Sequence, residues 1–405
     1  MHARDMLQWR ESEISKQSRL ATQQRPGEQL TAINLAFARF IALCTESAVL
    51  TDFGPSALVY APHMETDVLI IGAGPIGLET AAAAEAAGLR AEVVDAGALG
   101  QTIATQFPTA TRFFSSPERL EIAGISIPLP TQDKPTGEDY LAYLRSVVLT
   151  LDLRVHTFQR VVSCTPSASS FHVDTVDKCG LQRTWTAAHV VLATGGTQRC
   201  RTLGIEGESL PHVSQFLGDP HRFFNRRVLV VGGRNSAVES ALRIHRVGGE
   251  AMLSYRGETM HKRVKYWLRP EVEALIEEGR IVGLLGTVVE RISPEHVELR
   301  HLRTDKVELL LADDVLLQLG FEQDSSILQL FGVQVDPITQ APTFDIDTMM
   351  TNVPGVFVAG TASAGTQARF KVYIETSHVH AARIVAAMCG DDVPPTPPAR
   401  VLPEN

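Results

Sequence analysis

The run from Asp67 to Asp95, "DVLIIGAGPIGLETAAAAEAAGLRAEVVD", decides the fold. Val68–Ile71 is a short apolar strand, Gly72-x-Gly74-x-x-Gly77 a turn, Pro75–Ala87 an Ala-rich helix and Ala91–Asp95 a second strand. Each glycine has a task in such a turn. Gly72 permits the tight bend, Gly74 lets backbone approach a pyrophosphate, and Gly77 lets the helix pack on the strand. Pro75 suits the first helical turn, where a missing N–H costs nothing. The helix start offers unpaired N–H groups to phosphates. Asp95 closes the second strand, where a carboxylate accepts both ribose hydroxyls and repels a 2′-phosphate. The site therefore suits FAD or NAD and not NADP.

A worn copy follows at Arg227–Ser240, "RVLVVGGRNSAVES". Gly232 and Gly233 open the turn, Arg234 stands where the second spaced glycine is expected, and Ala237 takes the last position. Arg234 crowds a pyrophosphate unless it points outward and adds charge to a phosphate contact. Beyond the next strand comes "SYRGETMHKRVKYW", with Arg256 at the strand end and Lys262, Arg263 and Lys265 close behind. No acid closes this strand, and cations gather where a 2′-phosphate would lie, which favours NADPH over NADH. The plain alternative is a solvated basic loop. The two turns are too far apart for one mononucleotide unit and fit two domains.

The rest of the chain alternates in the same way. Apolar strands at 189–194, 227–232, 250–255, 314–320 and 355–360 are separated by helical stretches, as in parallel sheets covered on both faces. Two fragments end strands at glycine, "VVLATGG" (190–196) and "TNVPGVFVAGTASAG" (351–365), as exits from and returns to a flavin would. A chain holding both sites has an evident task, passing hydride from a nicotinamide to a flavin that then reduces something else. With 37 Lys and Arg against 46 Asp and Glu the net charge is −9, so nucleic acid and anionic membranes are not expected partners. The five cysteines, at positions 44, 164, 179, 200 and 389, form no C-x-x-C pair or zinc spacing and fit a reducing, cytoplasmic setting. "LAFARFIALC" (35–44) falls far short of the ~20 apolar residues of a membrane span. The first 29 residues are polar and are expected to be poorly ordered, with an amphipathic helix over 30–44 after them. Met64, just ahead of the first strand, is the expected natural start.

Asp67 to Met388 resembles the low-molecular-weight thioredoxin reductase superfamily. "RFFSSPERLEIAGI" (112–125), "YRGETMHKRVKYWLRPEVEALIEEGRI" (255–281) and "GGRNSAVESAL" are similar to its bacillithiol-disulfide-reductase-like, YpdA-type branch. The resemblance implies an α/β fold of two Rossmann-like, three-layer dinucleotide-binding domains, the NADPH domain inserted into a split FAD domain. The expected boundaries are an N-terminal extension over 1–64, FAD domain over 65–198 and 315–390, NAD(P)H domain over 199–314, and a Pro-rich tail over 391–405. It also implies a homodimer. By the same resemblance Gly72, Gly74, Pro75, Gly77 and Asp95 hold FAD, and Gln101, Thr102, Thr194, Gly195, Gly360 and Thr361 lie along its path. Gly232, Gly233, Asn235, Ser236 and Arg256 hold NADPH. The segment 369–388 becomes the terminal helix whose start faces the flavin ring, with Lys371, His378 and His380 as candidate charge and proton donors.

The departures bear on the acceptor. Thioredoxin reductases carry a C-x-x-C near the second turn, and none exists here, so direct reduction of thioredoxin is not expected. The bacillithiol branch carries one cysteine in the first turn, where this chain has Ile76. An isoleucine cannot attack a disulfide as a thiolate at a helix start can. Cys200, close behind the Ala-Thr-Gly strand, is the best substitute. Thr361 replaces the aspartate that contacts the ribityl chain in this superfamily and keeps a hydroxyl for the bond. The leading expectation is an NAD(P)H-dependent flavoprotein oxidoreductase that reduces a small disulfide. The alternatives are a ferredoxin or flavodoxin reductase on the same scaffold and a non-catalytic FAD/NADPH redox sensor.

Overall fold

The computed structural model describes residues 63–131, 133–367 and 371–395. The expected extension up to residue 62, with its helix over 30–44, and the tail beyond residue 395 lie outside them. Strand β1 (Met64–Ile71) feeds the glycine turn and helix α1 (Pro75–Ala86), and β2 (Ala91–Val94) returns parallel to β1. Helices α2 (Gln101–Gln106) and α3 (Gly137–Thr150) lead to β3 (Arg154–His156), which extends the sheet parallel to β2. The antiparallel pair β4 (Arg160–Pro166) and β5 (Phe171–Val176) then joins the long strand β6 (Gln182–Leu192).

The second half of β1, from Val68 to Ile71, is buried on both faces, and its alternation assigns the layers. Val68 and Ile70 pack with Leu78 and Ala81 of α1 and with Tyr140, Leu144 and Val147 of α3. Leu69 and Ile71 face the opposite side, with Trp185, Val173 and Phe331. A period of two between two apolar layers is what a central parallel strand requires.

The chain leaves through β7 (Arg199–Cys200) and builds a second unit. Its elements are β8 (Val213–Ser214), β9 (Arg227–Val231), α4 (Asn235–Arg246), β10 (Glu250–Tyr255), α5 (Arg269–Glu277) and β11 (Val282–Leu285). The antiparallel strands β12 (Thr287–Ile292), β13 (His296–His301) and β14 (Val307–Leu311) follow, then β15 (Asp314–Leu317). The order β11-β10-β9-β15-β8 is parallel throughout. Helices α4 and α5 cover one face, and the β12-β13-β14 sheet contributes Val289, Val297 and Leu299 to the other. Strand β16 (Phe321–Glu322) brings the chain back antiparallel to β7. After α6 (Ser326–Leu330), β17 (Val356–Val358) adds parallel to the end of β6, and α7 (Ile374–Cys389) packs on α1. A second doubly covered sheet is thus inserted between β6 and β17 of the first, the α/β architecture expected from the sequence.

Two elements differ from expectation for identifiable reasons. Strand β6 begins at Gln182 rather than His189 because its first half pairs with β5 and its second half with β17, on the same edge. Helix α7 begins at Ile374 rather than near 369. Tyr373 is extended (φ −131°, ψ 179°) and its N–H donates to the Thr376 hydroxyl at 2.9 Å, which caps the helix there. Among the described residues no helix is long and apolar enough to cross a membrane.

An ideal Cβ on Gly77 would lie 2.0 Å from the Gly72 carbonyl oxygen. Gly77→Ala is therefore expected to push α1 off β1 and lower stability by about 1–3 kcal/mol, as overpacking does. A chemical-denaturation midpoint equal to that of the unaltered chain would refute the contact.

Candidate active site

Strands β1, β6 and β17 run parallel, and all end in glycine-bearing turns at the same end of the first sheet. Gly72 has φ +117°, and an ideal Cβ there would meet the Ala193 carbonyl oxygen at 2.4 Å, so β1 and β6 close on each other only through a glycine. Gly74 is different: a Cβ there meets no protein atom within 4 Å. Nothing in the protein requires glycine at that place, and the open side fits the close approach of a ligand pyrophosphate. Gly74 is the N-cap of α1, with no side-chain cap and Pro75 behind it, so the first turn keeps N–H groups to offer an anion.

The carboxylate of Asp95 braces this turn. Its Oδ2 accepts the Ala73 N–H and its Oδ1 the Gly97 N–H, both at 2.7 Å. Burial raises its pKa while the two N–H bonds oppose the rise. Each oxygen retains a lone pair for a ribose hydroxyl. Gln101 accepts the Ala98 N–H at 2.8 Å, and Thr102 lies exposed in the first turn of α2. The carbonyls of Thr194 and Gly195 take the Gln198 amide at 2.8 and 2.7 Å. A Cβ on Gly195 would lie 3.8 Å from the Thr361 hydroxyl, and one on Gly360 only 3.2 Å from Cβ of Ile76. Gly195, Gly360, Thr361 and Ile76 thus converge, and Ile76 is a buried apolar wedge between α1 and the end of β17.

Two histidines of α7 have surroundings that move their pKa values in opposite directions. His380 accepts the Gly360 N–H on Nδ1 at 3.1 Å, and burial, aided by Arg383 and His378, pushes its pKa down to about 4. His378 meets acceptors at both nitrogens, Glu79 Oε2 at 2.7 Å from Nδ1 and the Arg119 carbonyl at 2.9 Å from Nε2. A ring that donates from both nitrogens is an imidazolium. Burial alone depresses its pKa, but Glu79, the Arg119 carbonyl and Glu375 outweigh burial and raise it. Lys371 is exposed and lies ahead of α7, its N–H bound to Gln367 Oε1 at 2.8 Å. Cys200 sits in the β7/β16 ribbon opposite Phe321, and burial raises its pKa. Cys164 in β4 is pushed by burial to about 11. Burial, with no charge interaction offsetting it, keeps both as thiols and not thiolates.

In the second turn Gly232 has φ +149°, and a Cβ there would meet the Gln318 carbonyl at 2.4 Å. A Cβ on Gly233 would strike the Tyr255 ring at 2.1 Å. Arg234 has ordinary extended backbone (φ −113°, ψ −171°), is exposed, and is the N-cap of α4, so its side chain runs to solvent instead of blocking the turn. Asn235 accepts the Lys265 N–H at 2.7 Å, which fastens the basic segment to the helix start. Ser236, next in the helix, and Arg256, just past the end of β10, are exposed. His261 is pushed down by burial and by the charges of Arg234 and Arg263.

Sequence reasoning did not find Tyr255, Gln198 or Gln323. Tyr255 looks like any strand-ending aromatic, and only its contact with Gly233 gives it a role. Gln323 is wholly buried between the returning linker and the Gly360–Ala364 turn. Its amide donates to the Ala362 carbonyl at 3.1 Å and its N–H to the Thr366 hydroxyl at 2.9 Å, while Oε1 has no protein partner. Its bonds join the returning linker to the Gly360–Ala364 turn, a long-range contact with no local signature.

The model of the pyridine nucleotide-disulphide oxidoreductase family matches residues 69–360. The bacilliredoxin reductase Bdr of Bacillus subtilis is 33% identical over 325 residues, 80% of this chain and 97% of that one. The ferredoxin–NADP reductase of Leuconostoc citreum is 28% identical over 308 residues, 73% of this chain and 84% of that one. Among solved structures, bacillithiol disulfide reductase Bdr (YpdA) from Bacillus cereus superposes with a TM-score of 0.76 at 31% identity, covering 81% of this chain and 99% of that one.

The charged bridge at His378 makes stability depend on pH. Its pKa in the folded chain is raised above the ordinary 6.5. Its contribution is therefore complete below the unfolded value and is lost as pH rises through the folded one. Between pH 6 and pH 9 the thermal midpoint of the unaltered chain should fall more steeply than that of His378→Asn. Parallel curves for the two would remove the bridge from the account.

Proposed function

Because the chain belongs to the pyridine nucleotide-disulphide oxidoreductase family, we propose that it is an FAD-dependent NADPH oxidoreductase that reduces a small disulfide of the bacillithiol-disulfide kind. That it is an oxidoreductase follows from the family; the cofactor identities and the acceptor are the proposal. The observation that carries it is the contrast between two nucleotide turns in one chain, the first closed by a carboxylate that accepts two backbone N–H groups and the second with a basic segment fastened to its helix start through Asn235. When bound, such a pair would supply hydride transfer, two electrons at a time, from the dihydronicotinamide to the flavin.

The residues divide the work. Gly72, Gly74, Pro75, Gly77 and Asp95 cradle the FAD pyrophosphate and ribose, while Gln101, Thr102, Thr194, Gly195, Gly360 and Thr361 line the way to its ring. His380, neutral and with its Nδ1 on the Gly360 N–H, carries its proton on Nε2. At the second turn Gly232, Gly233, Asn235 and Ser236 receive the NADPH pyrophosphate, and Arg256 with Arg234 and Arg263 attracts the 2′-phosphate. A cytoplasmic homodimer is the setting that goes with this reading, supported by the likeness to the thioredoxin reductase superfamily and the scattered cysteines.

One observation favours a second reading. Ile76 occupies the first turn, and the half-buried thiols Cys164 and Cys200 have raised pKa values, so no activated thiolate stands among them. A flavin without a thiol partner can release electrons singly, as in a ferredoxin–NADP reductase.

Anaerobic stopped-flow spectroscopy tests the first step. NADPH should bleach the bound flavin with a lower half-saturation than NADH, and Arg256→Ala should narrow that preference by about tenfold, the worth of one charge-assisted phosphate contact. No bleaching by either nucleotide would leave only a redox sensor. With bacillithiol disulfide, coenzyme A disulfide, quinone and ferredoxin offered in turn, turnover on a disulfide supports the proposal and turnover on ferredoxin alone the second reading. Cys200→Ser should keep disulfide turnover within about twofold, since a buried thiol of raised pKa is a poor nucleophile. Its loss would make Cys200 the redox thiol.

A further inference from the structure

The two halves of the described chain are linked covalently by the β7/β16 ribbon, in which Phe321 faces Cys200 and Glu322 faces Arg199. A two-residue ribbon is a natural pivot and does not by itself fix how the second turn stands against the first. A separate set of contacts does. The segment 109–115 belongs to the first half, where Phe113 packs in its core. From there it reaches α4, the helix whose N-terminus ends the second turn. The Thr111 hydroxyl donates to Glu239 Oε1 at 2.6 Å and accepts from Arg243 Nη2 at 3.0 Å, and Arg243 Nη1 donates to the Thr109 carbonyl. Glu239 and Arg243 pair with each other at 2.8 Å and are 14% and 18% exposed.

The same segment grips the basic stretch that follows β10. Lys265 Nζ donates to the Arg112 carbonyl at 3.4 Å, and Phe114 packs on Trp267 at 5.4 Å between ring centres. Lys134 caps both rings, 4.6 Å from Phe114 and 4.9 Å from Trp267. On its other side Ser115 donates to Glu375 in the first turn of α7. One strap therefore touches the start of α7 and the flank of α4. A carboxylate and a guanidinium withdrawn from water need partners for every remaining donor and acceptor, and Thr109 and Thr111 supply them only in this docked arrangement.

We propose that Thr111, Glu239 and Arg243 are a latch that positions the NADPH half for hydride transfer, so that this step runs in the docked arrangement without a swing about the ribbon. This rests on the two-cofactor reading above. The latch residues touch neither proposed cofactor site. They act through α4, whose N-terminal turn they hold in place relative to β1, β6 and β17.

Two measurements on the full chain test this, using Thr111→Val, which keeps the shape and loses the hydroxyl, and Thr111→Ser, which keeps it. The first is hydrogen–deuterium exchange by mass spectrometry without nucleotide. Thr111→Val should speed exchange in residues 261–268, on the other half, and Thr111→Ser should not. Unchanged exchange there in the valine variant would overturn the latch. The second is stopped-flow bleaching by NADPH. Thr111→Val should lower the limiting rate about tenfold with half-saturation held within about twofold, and Thr111→Ser should restore the rate, since misplacement costs rate before affinity. A limiting rate unaffected by valine would show that transfer does not need the docked arrangement. If NADPH fails to bleach even the unaltered chain, the two-cofactor reading fails, and the exchange experiment still decides the latch.

Discussion

The Gly72 carbonyl oxygen stands where a side chain on residue 77 would have to be, and the first half of the molecule depends on that contact. Without a Cβ at 77, helix α1 can lie on β1 closely enough to aim its N-terminus along the end of the sheet. Gly72 meanwhile closes on the Ala193 carbonyl, joining the ends of β1 and β6. Ile76 follows from the same geometry. Held one residue before the close approach, it is turned toward Gly360, where β17 ends. The second half repeats the device with looser tolerance. Gly232 meets the Gln318 carbonyl and the Cβ of Ala237, so a methyl group suffices where the first turn needs none.

Much of this was legible in the residues. The glycine spacings, Pro75 and the apolar strands read directly as two nucleotide turns in an α/β chain, because local geometry and local sequence coincide there. The site residues were less so, because a residue type fixes a capacity and not a partner. Asp95 accepts hydrogen bonds as expected, but from Ala73 and Gly97 of its own turn. Asn235 sits at the helix start as expected, and its side chain holds Lys265. His378 reads as a proton donor in isolation; the acceptors on both sides of its ring favour its charged form and raise its pKa. Glu239 and Arg243 have the spacing of an ordinary exposed helix pair. Only the fold, by bringing Thr111 against them, turns that pair into a contact between halves.

Charge separates the two turns as clearly as glycine unites them. Around the first, a carboxylate lies against backbone N–H groups, and His380, at the Gly360 N–H, is held neutral by burial. Around the second, Arg234 and Arg263 repel a proton from His261, and Lys265 is pushed down by burial, with Lys134 and Arg243 assisting and Glu239 opposing. Cations crowded this way, in a chain of net charge −9, raise one another's cost until an anion joins them. In the proposed reading a phosphate-rich nucleotide at the second turn would relieve that repulsion, whereas a third phosphate at the first would create one beside Asp95.

The same comparison locates the specificity of the second half-reaction. Where a thiolate receives electrons from a flavin, the disulfide need only meet the thiolate, and the helix start tunes that thiolate's pKa. Ile76 has no proton to lose, and its side chain is packed against Gly360 instead of presented to a substrate. Cys200 lies in the linking ribbon and Cys164 in the β4–β5 hairpin, each kept protonated by burial. In the proposed reaction the acceptor then has to come to the ring itself. Selection falls on shape and hydrogen bonding at the ends of β6 and β17, around Gly195, Thr361 and the start of α7, and not on the reactivity of a sulfur.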